Sequence, residues 1–308
     1  MRIMRLDSAT RKELKMARVI VFDVQHGFCA FVKSPTGSTL MIDCGKGDDF
    51  SPVNYILKHE LGDATPHNGY KLTKLIVTHP HDDHIEDIAN LKSSLSPAIL
   101  QRQRYNWEAI KAPDAGSDEY QNLDLYAAWQ MTYSEPVKVE PNWGMQIQTF
   151  FLTPDEAYKL DKAKYVNNSS IVTLVTIAGT KFSEEFLFGA DVEQSGWHAL
   201  LKQDAFKKAV RGVDFYIAPH HGHSSGFSTA LYEAMGKPFL NLVSVHSRDE
   251  HLDCRYSAND FARGVKYAGE DRYMLSTRKD GAIFVDVDAE GKFWVHAESL
   301  RANRAKTA

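Results

Sequence analysis

Six consecutive residues constrain this 308-residue chain more than any others: His79-Pro80-His81-Asp82-Asp83-His84. They follow Leu72–Thr78, which reads as a buried strand through its apolar Leu75, Ile76 and Val77. They precede Ile85, Ile88, Ala89 and Leu91, whose spacing is helical. A strand therefore fixes the entry of the loop and a helix fixes its exit. Imidazole and carboxylate at this density suit zinc, and equally manganese or iron. A solvated loop has no reason to gather them, and an unpaired buried carboxylate is costly. His79 and His81 can face one ion while Asp83 and His84 face a second.

Two later strand ends offer what the loop lacks. Phe186-Leu187-Phe188-Gly189-Ala190-Asp191 is an apolar strand ending in an acid. Asp191 can place one oxygen on each of two ions. Taken alone it also reads as a helix N-cap ahead of Val192–Leu200. Phe215–Ala218 is a strand that ends in Pro219-His220-His221-Gly222-His223, so His220 or His221 can supply a further ligand.

The rest of the chain alternates strands and helices. Strands are expected at Val19–Phe22, Ala30–Val32, Thr39–Ile42, Gln146–Leu152, Ser170–Ile177, Glu185–Phe188 and 239–245. Helices are expected at 51–60, near 118–132, at 193–210 and at 257–268, with a closing hairpin at 281–297. Ser51-Pro52 is a helix start. Such alternation implies helices packed outside sheets. Residues 1–15 read as an N-terminal extension and 16–308 as one domain, with 101–145 as a substrate-side insertion. Hydrophobic residues make up 43% and charged residues 25%, enough for a core without disulfide support. Cys29, Cys44 and Cys254 form no framework spacing, which fits a reducing compartment. No apolar stretch reaches the roughly 18–20 residues that span a bilayer, and the first residues are too polar for a secretory signal. The expected location is cytoplasmic. A net charge of −4 provides no global basic field for nucleic acid.

The order of these motifs resembles the metallo-β-lactamase superfamily, whose hallmark is H-x-H-x-D-H after a strand. Within it, the pattern is similar to the ComEC-type branch in four further places. These are Asp23-Val24-Gln25-His26-Gly27, Ile42-Asp43-Cys44-Gly45, Asn167-Asn168-Ser169-Ser170 and His220-His221-Gly222-His223. Together they span roughly residues 19–285. The resemblance implies an α/β fold, the αββα sandwich of two mixed sheets with helices outside. It makes His79 and His81 ligands of a first metal and Asp83 and His84 ligands of a second, with Asp191 bridging. The strand–H–G ending matches His221-Gly222 best, which leaves His220 to face the substrate. Asp43 would orient a ligand histidine by accepting its other N–H. Two departures stand out: Asn167-Asn168-Ser169-Ser170 holds no third histidine for the first metal, and Phe28 replaces the acid often found after the opening motif.

The reaction so implied is hydrolysis of a phosphoester, by a hydroxide held between two divalent ions, zinc foremost. The substrate would be a phosphodiester, a nucleotide or a nucleic acid. Asn168, Ser170, His220 and Ser224 are the candidate donors to its non-bridging oxygens. The phosphoester expectation also rests on a donor-rich rim with no apolar acyl pocket. His246 and His251 lie on a loop that can reach the site, whereas His26, His59, His67, His198 and His296 read as structural. A nuclease would need a basic stripe drawn from Arg102, Arg104, Lys202, Lys207, Lys208, Arg211, Arg278 or Lys279. Two other readings compete: a hydrolase of thioesters, amides or other esters on the same fold, and a metal-stabilised interaction module without catalysis.

Overall fold

The computed structural model describes residues 16–111, 118–135, 137–139, 141–246 and 251–300. The expected extension at 1–15 lies outside the described residues. The strands, in chain order, are β1 (Ala17–Val21), β2 (Ala30–Lys33), β3 (Thr39–Ile42), β4 (Leu72–Ile76), β5 (Pro97–Gln101), β6 (Gln146–Phe150), β7 (Val172–Ala178), β8 (Ser183–Phe188), β9 (Phe215–Ile217), β10 (Leu240–Val243), β11 (Val265–Tyr267), β12 (Glu270–Arg272), β13 (Met274–Ser276), β14 (Ala282–Val287) and β15 (Phe293–Glu298). One sheet has the order β15-β14-β1-β2-β3-β4-β5 and the other β13-β10-β9-β8-β7-β6, while β11 and β12 pair separately. Both large sheets are mixed. β3, β4 and β5 run parallel in the first, and β8, β9, β10 and β13 run parallel in the second.

Side-chain alternation builds the layers. Val19 and Val21 of β1 point inward, joining Ile42 and Ile76 against Val175, Phe186, Phe188 and Phe215 of the facing sheet. Ile20 and Phe22 point the other way, against Val53 and Ile56 of the helix Pro52–His59, Leu91 of the helix Ile88–Ser94, and Tyr126 of the helix Asp118–Trp129. Outside the second sheet, Leu174, Leu187 and Tyr216 meet Trp197, Phe206 and Leu231 of three further short helices. The result is helix, sheet, sheet, helix: the αββα sandwich. Ser51 begins the first of these helices as expected, its Oγ accepting from the Asn54 amide at 3.1 Å.

Three local expectations are corrected. The helix at 193–210 is two helices, Gln194–Leu200 and Asp204–Ala209, because the amides of Lys202 and Gln203 turn back onto Ala199 and Leu200 and close the first. No helix forms over 257–268. A 3₁₀ turn at Cys254–Ser257 is followed by Arg263 and Gly264 donating to the Pro238 and Phe239 carbonyls at 2.7 and 3.0 Å. The chain then enters the β11–β12 hairpin through left-handed Gly264 and Gly269, which a helix interior does not accommodate. The third concerns 165–178: a helical turn at Tyr165–Asn168 comes first, and the strand begins only at Val172.

This topology decides where chemistry can sit. The carboxyl ends of the parallel strands β3, β4, β8, β9 and β10 all open onto one rim. The two sheets are tied there, the Ile171 amide donating to the Thr78 carbonyl at 3.1 Å and Ser244 Oγ donating to the Gly27 carbonyl at 2.8 Å.

Candidate metal centre

β4 ends at Ile76, and the chain passes through buried Val77 and Thr78 into the loop before a single helical turn at Asp82–Ile85. Two glycines let other loops press against it. A Cβ on Gly27 would lie 2.2 Å from the Asp83 carbonyl oxygen, and one on Gly45 would lie 2.3 Å from the same atom. The approach is used: Phe28 N donates to Asp83 O at 3.1 Å, and Cys44 N donates to His84 O at 2.8 Å. The backbone carrying Asp83 and His84 is therefore clamped from two sides.

Asp43, at the end of β3, is fully buried and collects three donors. Thr78 N reaches Oδ1 at 2.7 Å, while Thr78 Oγ1 and His84 Nδ1 each reach Oδ2 at 2.7 Å. A proton on His84 Nδ1 leaves Nε2 as the ring atom that can serve a cation, and Nε2 faces Asp191 Oδ1 at 3.3 Å and Asp83 Oδ2 at 3.6 Å. His221 Nε2 lies 3.1 Å from Asp83 Oδ2 and 3.7 Å from Asp191 Oδ2, and His79 Nε2 lies 3.8 Å from Asp191 Oδ2. The tips of β4, β8 and β9 thus meet. Of the two adjacent histidines, His221 makes these contacts. His220 is anchored through Nδ1 to Ser225 Oγ at 2.8 Å, and the same hydroxyl lies 2.9 Å from His223 Nδ1.

Donor atoms of His79, His84 and Asp191 lie within 4.8 Å of one another, as do those of Asp83, His84 and His221. His81 is exposed at the edge, its Nδ1 3.0 Å from His79 Nε2, and belongs to neither trio. Charge is balanced inside the group. Burial opposes ionisation of Asp83 and Asp191, but His84 and His221 outweigh it and hold both carboxyls below their usual range. Burial likewise opposes charge on His84 and His221, and Asp191 and Asp83 raise both above an ordinary imidazole. His79 goes the other way: burial, then His84 and His81, keep it neutral with a lone pair to offer. A divalent cation fits these donors. They are imidazole nitrogens and carboxylate oxygens, and His84 Nε2 and both ring nitrogens of His221 are buried without an oriented hydrogen bond.

No protein-family model matches the chain, and no curated protein matches it. Among solved structures, it is similar to a long form RNase Z from yeast, with TM-score 0.46 and 10% identity over 93% of this chain and 42% of that one. It is also similar to an isothiocyanate hydrolase from Delia radicum gut bacteria, with TM-score 0.45 and 12% identity over 85% and 97%. MEM-A1, a subclass B3 metallo-β-lactamase from a soil metagenome library, gives TM-score 0.38 and 13% identity over 66% and 76%. The chain spans less than half of the RNase Z.

A cleft of about 640 Å³ opens over the Asp83 side of the group. It is lined by the polar Gln25, His26, Lys46 and His246, and also by Ile110, Leu123, Tyr165 and Val166. The expectation of a rim without an apolar pocket is therefore corrected. Ile110 and Leu123 belong to the region 101–145, whose Asn122 Nδ2 donates to Asp82 Oδ1 at 2.9 Å. Asn168 is fully buried, and its Oδ1 accepts from the Glu193 and Gly196 amides, both at 3.2 Å, at the start of the helix Gln194–Leu200. Its amide donates to Ser195 Oγ at 3.0 Å, so the side chain is spent on capping rather than offered to a substrate. Ser170 is fully buried as well. Ser224 is exposed in a separate depression with Lys164, His198 and Arg255. His251 is exposed outside the cleft lining.

His26 is the residue that sequence reasoning passed over. Its Nε2 lies 3.6 Å from Asp83 Oδ2, and its ring centroid lies 5.2 Å from that of His221. The available signal was its place inside the Asp23–Gly27 motif, whose glycine has to touch the ligand loop.

Proposed function

We propose that the chain is a metallo-β-lactamase-type hydrolase of phosphoesters, with two divalent cations, zinc foremost, held by His79, His81, Asp83, His84, Asp191 and His221. The observation that carries this reading is the convergence of three strand tips on buried imidazole nitrogens that lack oriented partners. When bound, such cations supply Lewis acidity, drawing down the proton affinity of a water and offsetting charge on phosphoryl oxygens. The chain's own residues do the positioning. Asp43 and Thr78 fix the ring of His84, and the clamp on the Asp83 carbonyl fixes the loop. His220, held through Nδ1 by Ser225, keeps Nε2 for a substrate oxygen. Asp191 and Asp83 share the positive charge between them.

The cleft favours a small phosphodiester or nucleotide over a nucleic-acid strand. Lys46 lines it against Asp48, Asp82, Asp83 and Glu86, and none of the candidate arginines and lysines of a basic stripe does. A second reading, hydrolysis of a thioester or amide, is favoured by the apolar side chains of Ile110, Leu123 and Val166.

Metal analysis joined to a substrate panel tests both. The native chain should hold about two metals and cleave bis-(p-nitrophenyl) phosphate, with activity lost in Asp83→Ala and Asp191→Ala. Thioester turnover without phosphodiester turnover would select the second reading. Metal-dependent stability with no turnover of either would leave a non-catalytic module.

A further inference from the structure

We propose that His26 is a substrate-contacting residue, binding an oxygen of the ester as it lies over Asp83 and His221. The inference rests on the phosphoester reading above and adds a residue to it.

The side chain is 60% exposed, yet its position is heavily constrained. Gln25 before it takes φ 64°, a left-handed conformation in a residue with a Cβ, and Gly27 after it takes φ 113°. Gln25 Oε1 accepts from Asp48 N at 2.8 Å, the Gly27 carbonyl accepts from Ser244 Oγ at 2.8 Å, and Phe28 N donates to the Asp83 carbonyl at 3.1 Å. A solvated surface histidine needs no such framework. Here the framework presents an imidazole to open solvent directly above two groups of the candidate metal centre. The ring is tilted 35° to that of His221, and Nε2 stands 3.6 Å from the Asp83 oxygen that also lies 3.1 Å from His221 Nε2. His26 belongs to neither donor trio, and it lines the cleft that Asp83 also lines. The same cleft is also lined by Ile110, Leu123, Tyr165 and Val166, whose one polar side-chain group is the Tyr165 hydroxyl. An ester bound in this cleft would set its charged oxygens toward His26 and its organic group toward these apolar side chains.

The test uses the full metal-loaded chain and compares native protein with His26→Ala and His26→Gln. Three quantities are read: kcat/KM on bis-(p-nitrophenyl) phosphate, the dissociation constant of inorganic phosphate by calorimetry, and metal content. Loss of a hydrogen bond to a charged oxygen predicts about a 10- to 100-fold fall in kcat/KM for His26→Ala. Phosphate binding should weaken in the same sense while metal content stays native. His26→Gln, which keeps a donor, should recover part of both. Native-like catalysis and phosphate binding in His26→Ala would overturn the inference while leaving the hydrolase reading intact. Loss of metal in His26→Ala would overturn it too, by making the residue a holder of the cation. A native protein that neither cleaves the diester nor binds phosphate would overturn both.

Discussion

Replacing Asp43 by Asn changes one atom and should cost the site most of its hold on metal. Three donors converge on this carboxylate at 2.7 Å each, two of them on Oδ2. An amide oxygen can keep the Thr78 amide, but the NH₂ group then faces His84 Nδ1 and Thr78 Oγ1. The Thr78 hydroxyl can rotate to accept, with His79 Nδ1 3.1 Å away as an alternative partner. The His84 N–H has no such option, being inside a fully buried pocket. The ring is driven to carry its proton on Nε2, the nitrogen that faces Asp83 and Asp191, and its lone pair turns away from the cation. Outer partners of ligand histidines are worth about 10- to 100-fold in metal affinity, or roughly 1.4–2.7 kcal/mol. The assay is competition for zinc against a chromophoric chelator at fixed pH, with the melting temperature of both metal-free forms measured alongside. The metal-free variant should lose stability as well, since a charged buried acceptor is worth about 1.5–3 kcal/mol per hydrogen bond. Zinc affinity in Asp43→Asn within about twofold of native, where this reasoning requires at least tenfold, would refute the assignment of His84 as a ligand through Nε2.

Gly45→Ala should lower kcat/KM on the diester by about 100-fold through displacement of the loop, because its Cβ would meet the Asp83 and Phe28 carbonyls at 2.3 and 2.9 Å. Gly62→Ala, with nothing within 4 Å, is the control, and equal effects at the two positions would discredit the clamp. Zinc at a hundredfold excess over its dissociation constant should stabilise the chain by about 2.7 kcal/mol, read as a rise in melting temperature that a chelator reverses. Glu184 is raised from 4.5 to about 8 by burial and by Asp214. Between those values the folded state binds a proton that the unfolded chain has released, so stability is full below the lower value and falls as pH rises to about 8. Glu184→Gln should therefore melt like native near pH 4 and be more stable by about 1–2 kcal/mol near pH 9, once solvent screening is allowed for; a constant difference across pH would contradict this.

The placement of the 79–84 loop was legible because its residues are contiguous and lie between a strand and a helical turn. Asp191 and His221 were legible for a related reason: apolar runs that end abruptly in polar groups mark strand tips, and tips of parallel strands share one rim. His26 was not, because a histidine in a turn says nothing about what the turn touches. Only the folded contact of Gly27 with the Asp83 carbonyl brings it to the site. Asn168 failed in the opposite direction. Its motif position suggested a role toward substrate, whereas the start of the helix Gln194–Leu200 claims its carbonyl. The segment 257–268 has a helix-like apolar pattern, but Gly264 and Ala268 take positive φ and the backbone pairs with its neighbours instead.

The distribution of strained backbone argues that the site, rather than the fold, dictates these strand ends. Seven described residues other than glycine have positive φ, and five of them, Gln25, Asp43, Ala190, His220 and His221, stand at the candidate centre or directly before one of its residues. All five lie in the loops that follow the strands β1, β3, β8 and β9. Ala190 shows the economy of the arrangement: its turn aims Asp191 at the histidines, and its carbonyl accepts from the His220 amide at 2.8 Å, which holds the β9 tip against the β8 tip. A left-handed residue costs about 1–2 kcal/mol, and five such costs are tolerable where the packing of two facing sheets over-determines the loops at their rim. A fold that served stability alone would place glycine at these positions. At the proposed metal centre His221 is itself a donor and Asp43 holds the ring of His84, while Gln25 and Ala190 stand directly before His26 and Asp191, so the strain on the rim accompanies the placing of these side chains.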